Sequence, residues 1–406
     1  MRLASSGSHL TYCTNIHPGE SWAEIRANLD RFLPAVKRQV APDRPFGVGL
    51  RLSAAAAASL REPDTLAELK DFLEREQLYV FTINAFPYGV FHRRRVKEEV
   101  YLPDWRDKER LRYSNEAADL LAELLPRDFD IEGSVSTVPN AFKAALNGAD
   151  DVTLIAATMI DHAAHLVRLQ ERTGRTIALA LEPEPCCMLE TIAETVAFFE
   201  SCIFSRGGID RLAQETGLAP LDAEQALHRH LGVCLDLCHA AVEFEDAADC
   251  VRTLRDAGIR IAKAQISAGL RFAPVTEDTK ALLLPFDDGV YLHQVVERNG
   301  HGIRRFTDLN EAFATMLVSP GPASSDRAER EWRVHCHVPI FLDDLGAYGT
   351  TQGFIRDVLA AHRRDPVSDH LEVETYTWDV LPERFRTSDV VTAVSRELAW
   401  AARQAA

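Results

Sequence analysis

Eight short apolar stretches, each followed by a longer segment of helical spacing, constrain this chain most. They fall at 10–16, 46–52, 79–84, 130–137, 176–182, 231–236, 260–266 and 370–375. Strands of that length alternating with helices predict βα units, and eight of them are what a closed parallel barrel requires. The first connecting segment supports this reading. Ser21-Trp22-Ala23-Glu24 has capping-box spacing, and Trp22, Ile25, Leu29, Phe32, Leu33 and Val36 keep one apolar helical face. Asp64, Asn115, Asp151 and Asp246 stand before similar stretches, and a last helix is expected over about 388–403.

Length alone does not choose between architectures: 406 residues suit one barrel with insertions as well as two ordinary domains. The strand spacing favours a single (β/α)8 TIM barrel over 1–406, of the α/β class, with a large insertion at 268–333 after strand seven. Within it a hairpin is expected around 289–298, a helix near 308–317 and a loop at 319–325 rich in Pro, Gly and Ser. The strand-like 332–341 would be a ninth element near the mouth. A second excursion, 86–104, follows strand three and carries Arg93, Arg94 and Arg95. Both are expected to lie over the barrel mouth as lids. The arginine run reads as a solvated face before it reads as a phosphate clamp.

Charge and cysteine usage narrow the setting. A formal charge of -16, from 61 Asp and Glu against 45 Lys and Arg, should repel a polyanion, so nucleic acid is a poor partner. The first ten residues have no apolar core of signal-peptide length, and no segment reaches the ~18 uninterrupted apolar residues of a membrane span. A cytoplasmic protein without stable membrane insertion is expected, and the sequence is compatible with a homo-oligomer. The eight cysteines lack the spacing of a disulfide framework and are read as reduced.

Polar ligand types cluster where strands stop. Ala178-Leu-Ala-Leu-Glu182, Gly232-Val-Cys-Leu-Asp236 with His239 beyond it, Ala262-Lys263-Ala-Gln265, Val334-His335-Cys-His337 and Leu371-Glu372-Val-Glu374 all end this way. Alternation along a strand puts Ala178, Ala180 and Glu182 on one face, Lys263 with Gln265, and Glu372 with Glu374. A lone polar residue at a strand end is often only a cap. Five coincident ends point to a site, because barrels of this kind carry their chemistry at that face. Cys234 and Cys238 flank Asp236 and read as small buried hydrophobes rather than as ligands or nucleophiles. His335 and His337 suit a metal or a structural pairing equally.

These strand ends resemble those of the xylose isomerase-like barrel superfamily, which includes sugar isomerases, ketose 3-epimerases and endonucleases of the endonuclease IV type. Within it the chain is most similar to the branch called metabolite traffic protein EboE. That similarity rests on His9-Leu-Thr-Tyr-Cys-Thr-Asn-Ile-His-Pro-Gly-Glu-Ser-Trp22, Thr82-Ile-Asn-Ala-Phe-Pro-Tyr-Gly89, Leu181-Glu-Pro-Glu-Pro185 and Glu372-Val-Glu-Thr-Tyr-Thr-Trp378. The resemblance implies a divalent metal on Glu182, Asp236, Gln265 and Glu374, with Gln265 replacing the superfamily's histidine by a weaker neutral oxygen. Oxygen ligation favours Mn²⁺ or Mg²⁺, and histidine moves the choice toward Zn²⁺ or Co²⁺. It further implies isomerisation or epimerisation of a small polyol, sugar-like molecule or cyclitol in secondary metabolism. Glu182 and Glu374 would be the acid and base, Lys263 would steady enediolate charge, and His17, Asn84, His239, His335 and His337 would contact substrate. A metal-dependent phosphoesterase using His239, His335 and His337 as extra ligands, and a noncatalytic metabolite carrier, are the alternatives.

Overall fold

The computed structural model describes residues 1–89, 95–287, 289–318, 330–376, 378 and 389–406. Arg93, Arg94 and the 319–325 loop lie outside the described residues. The barrel strands are β1 (His9–Tyr12), β2 (Phe46–Arg51), β3 (Leu78–Asn84), β4 (Gly133–Thr137), β5 (Ile177–Leu181), β6 (Leu231–Asp236) and β7 (Arg260–Ile266). Next come β8 (Ala268–Phe272), β9 (Val295–Asn299), β10 (Gly302–Phe306), β11 (Glu331–Val338) and β12 (Gly349–Thr350), and last the barrel's β13 (His370–Val373).

Eight strands pair in parallel in the order β1-β13-β7-β6-β5-β4-β3-β2. The ends of this sheet meet in an isolated parallel bridge between Cys13 and Gly49. Below it the Thr11 hydroxyl donates to Gly47 O at 2.7 Å and accepts from Gly49 N at 3.2 Å. One side chain thus replaces two missing ladder bonds, and the sheet closes into a (β/α)8 barrel. Every residue of β2, β3, β4, β5 and β6 is buried, as expected for parallel strands covered on both faces.

The Ser21/Glu24 capping box is present and opens a helix at Trp22–Val40. Asp246 caps Ala247–Asp256, but Asn115 lies inside Lys108–Leu124, whose cap is Asp107. The Asn115 side chain is taken up by His162, at 2.6 Å from its Nδ1. The helix Ala149–Thr173 is long and apolar enough to cross a membrane by length and composition, yet 61% of its apolar window is buried, and it packs on the barrel helices at Lys108–Leu124 and Arg206–Thr216. None of the eight cysteines is in a disulfide.

The segment after β7 forms a second, five-stranded sheet in the order β10-β9-β11-β8-β12, each pairing antiparallel. The hairpin sits later than 289–298: its strands are β9 and β10, Asn299 pairs with Gly302, and the chain turns through Gly300-His301. The helix is at Leu309–Val318. The strand expected at 332–341 is β11, the middle strand of this sheet. The two excursions touch each other. Val96 N and Lys97 N both donate to Val290 O, at 3.0 and 3.1 Å, and Lys97 Nζ pairs with Asp308 at 2.5 Å.

A candidate metal centre at the barrel mouth

At the C-terminal end of β6 the chain turns directly into the short helix Leu237–Val242, and Asp236 is its cap. Its Oδ1 accepts from His239 N at 2.9 Å and from Ser267 Oγ at 2.7 Å. That leaves Oδ2, which is buried without a hydrogen-bond partner, as is Glu182 Oε2. Glu182, Asp236 and Glu374 each offer an oxygen within 4.8 Å of the others. Leaving charged oxygens unsatisfied in a dry site is costly, so the trio fits a cation that would satisfy them. Without one, burial and then the facing Glu374 and Asp236 charges push the Glu182 carboxyl well up, and burial with Asp236 does the same to Glu374.

Three histidines stand on the other side of Asp236. His239 comes from the capped helix, and His335 and His337 from alternate positions of β11. Their Nε2 atoms converge: His239 to His335 is 3.1 Å and His335 to His337 is 3.2 Å. Asp236 lies 3.9 Å from both His239 Nε2 and His337 Nε2, and Glu374 lies 3.4 Å from His337 Nδ1. Burial first, then the neighbouring imidazoles, hold His239 and His335 well below their ordinary range, so the rings are neutral. Asp236, His239 and His337 form one group able to hold a metal, Glu184, His239 and His335 another, and Cys238, His335 and His337 a third.

The remaining expected residues divide. Asn84, His239, His335, His337, Glu182 and Glu374 line one cavity of about 70 Å³. His17 does not line it: the ring stacks on Phe32 at 4.1 Å and meets Tyr12 Oη at 3.0 Å. Gln265 turns its amide nitrogen to Glu374, and its oxygen accepts from Cys234 Sγ at 3.1 Å. In that pose it holds Glu374 instead of offering an ion its oxygen. Lys263 lies one layer deeper, ion-paired with Glu372 and donating to Ser136 Oγ at 3.2 Å. Asn15 also donates to Glu374.

Residues that the strand-end argument passed over complete the site. Glu184 accepts from Tyr101 Oη at 2.7 Å and from Gln294 Nε2 at 3.2 Å, and burial raises its carboxyl to about 7. Glu184 stood in the quoted Glu182-Pro-Glu184 run, two residues from a ligand candidate. Tyr101 and Gln294 lie in the two excursions and carry no local signal. Aromatic and aliphatic groups, among them Phe86, Val100, Tyr291, Leu292 and Tyr376, form the opposite wall.

No family model matches the chain, and no curated protein matches it. Solved structures do. A xylose isomerase-like TIM barrel protein from Mycobacterium smegmatis in complex with magnesium is 10% identical, with 99% of this chain and 97% of that chain covered and a TM-score of 0.50. The IOLI protein with a binding zinc atom is 11% identical over 98% of this chain and 99% of its own, with a TM-score of 0.47. A xylose isomerase domain protein from Alicyclobacillus acidocaldarius is 13% identical over 98% and 99%, with a TM-score of 0.45. The first of these likenesses bears on the fold alone. Together with the strand order, it shows a (β/α)8 barrel fold like that of the xylose isomerase-like protein.

Proposed function

We propose that the chain is a metal-assisted isomerase or epimerase acting on a small neutral polyol, sugar-like molecule or cyclitol, of the EboE type. The observation that carries this reading is the buried Glu182–Asp236–Glu374 trio, two of whose carboxylate oxygens have no hydrogen-bond partner, at the C-terminal mouth of a barrel. A divalent ion held there by those three residues would polarise a substrate carbonyl and its neighbouring hydroxyl. Glu374, oriented by Asn15 and Gln265, takes the carbon-bound proton next to that carbonyl. Glu182, acting as the acid, returns a proton to the adjacent carbon for isomerisation, with the hydroxyl proton passing to the former carbonyl oxygen, or to the opposite face of the same carbon for epimerisation. His239, His335 and His337 border the substrate or widen the metal shell. Neutral imidazoles can do either. A cytoplasmic setting fits the lack of disulfides among the eight cysteines.

The converging histidines favour a second reading, a metal-dependent phosphoesterase with additional ions. The cavity wall argues against it. Among its described lining residues Lys97 is the sole cation, and Asp308 already neutralises it. A phosphate ester would find little to bind its charge.

Calorimetry with Mn²⁺ and Zn²⁺ on wild type and Asp236→Ala tests the centre, and wild type alone should bind. Candidate polyols incubated in deuterated water should then exchange a carbon-bound proton, and Glu182→Gln or Glu374→Gln, once shown to retain metal, should lose exchange far more than binding. Equal metal binding by Asp236→Ala would remove the centre. Tight ligand binding with no exchange would make the chain a carrier.

A further inference from the structure

The structure assigns Gln294 the role of positioning residue for His335: it fixes the tautomer that aims His335 Nε2 at the candidate centre. The inference rests on the metal-centre reading above but not on the reaction. Gln294 is fully buried at the start of the second sheet, immediately before β9. Its Nε2 lies 3.3 Å from Pro185 O, 3.2 Å from Glu184 Oε1 and 3.0 Å from Tyr101 Oη. A carbonyl oxygen only accepts, so the amide nitrogen must face this side. The amide oxygen therefore faces His335 Nδ1, at 2.8 Å, and that ring nitrogen must carry the hydrogen. With its hydrogen on Nδ1, the imidazole presents the lone pair of Nε2 toward His239 Nε2 and His337 Nε2, at 3.1 and 3.2 Å.

The same logic applies to His239, whose Nδ1 donates to Pro183 O at 2.9 Å. Two lone pairs then face each other across 3.1 Å with no hydrogen between them. Neutral imidazoles gain nothing from that contact unless a cation accepts both. A barrel carbonyl sets one ring. Gln294, which belongs to the inserted sheet and is braced by Tyr101 of the other excursion, sets its partner. The centre is therefore complete only when both excursions are docked on the barrel.

The test uses the full chain with histidine ring nitrogens labelled, first stripped of metal and then titrated with Co²⁺ alone. In stripped wild type, NMR should show His335 protonated at Nδ1. Gln294→Leu should lose that preference. Gln294→Glu keeps an acceptor opposite Nδ1 and should restore it. Co²⁺ affinity should fall 10–100-fold in Gln294→Leu, with an altered visible spectrum, and recover in Gln294→Glu. A wild-type His335 protonated at Nε2 would overturn the inference, and so would Gln294→Leu with unchanged tautomer and unchanged affinity. If Gln294→Leu proves unfolded by circular dichroism, the wild-type tautomer and the Gln294→Glu affinity still decide. Failure of wild type to bind Co²⁺, with the Nδ1 tautomer intact, would strike the metal-centre reading and leave the tautomer assignment standing.

Discussion

Replacing Lys263 by methionine should cost several kcal/mol of stability, because the ammonium is the counter-charge to a carboxylate sealed inside the barrel. Lys263 and Glu372 are both fully buried and in direct contact. Two unit charges about 3 Å apart at an effective dielectric of about 20 attract by ~5.5 kcal/mol. Removing one member of such a pair typically costs about 3–5 kcal/mol, since the other is left charged in a dry site. Burial pulls the Lys263 ammonium down, but Glu372 more than offsets this and holds it above its ordinary value. Its stabilisation is therefore present throughout pH 5–9 and lost only above the unfolded lysine range, ~10.4. Glu372 behaves oppositely. Burial raises its carboxyl and Lys263 pulls it back, so without Lys263 it must rise further. A carboxyl with a folded pKa above its unfolded value, ~4.3, loses stability as pH climbs between the two. Urea unfolding of Lys263→Met should accordingly show a larger deficit at pH 8 than at pH 5, and Lys263→Met with Glu372→Leu should recover most of it. A deficit under about 1 kcal/mol at pH 8, the range of an exposed pair, would refute the reasoning. Lys263 would then be a group free to meet substrate.

Two further perturbations follow from single contacts. A methyl at Gly49 would overlap the Glu372 carboxylate and come within 2.7 Å of Tyr12 O, so Gly49→Ala should destabilise by about 1–3 kcal/mol in thermal melts, and an unchanged melting temperature would deny the close approach at the barrel seam. Glu397 on the last helix is fully buried, and burial, offset in part by hydrogen bonds from Thr375 and Ile340, holds its carboxyl near a pKa of about 8. Because the folded value is the higher one, wild type should lose stability on going from pH 5 to pH 8; Glu397→Gln, which keeps an acceptor oxygen, should flatten that loss, and parallel pH profiles would count against it.

Strand spacing made the barrel legible without coordinates. Parallel strands covered on both faces are mostly apolar, and the observed β6 and β7 coincide with the stretches at 231–236 and 260–266. Alternation likewise placed Glu182, Asp236 and Glu374 at the mouth, because a side chain's face on a strand depends only on its parity. The capping box at Ser21 is local chemistry and was equally readable.

What the tertiary structure alone decided is how those groups are used. Parity puts Lys263 and Gln265 on one face, but the register of β13 against β7 sets Glu372 beside Gln265, and packing pairs Lys263 with Glu372 one layer below the mouth. His17 is turned into an aromatic stack by Phe32, on the following helix. Most of all, Gln294 and Tyr101 come from excursions far from the carboxylates in sequence, and no spacing rule links an amide to a histidine 41 positions away. Secondary structure and facing follow from short-range sterics and burial, which each segment carries in itself. Hydrogen-bond direction and charge pairing depend on which distant segments meet, and that is decided only when the chain closes.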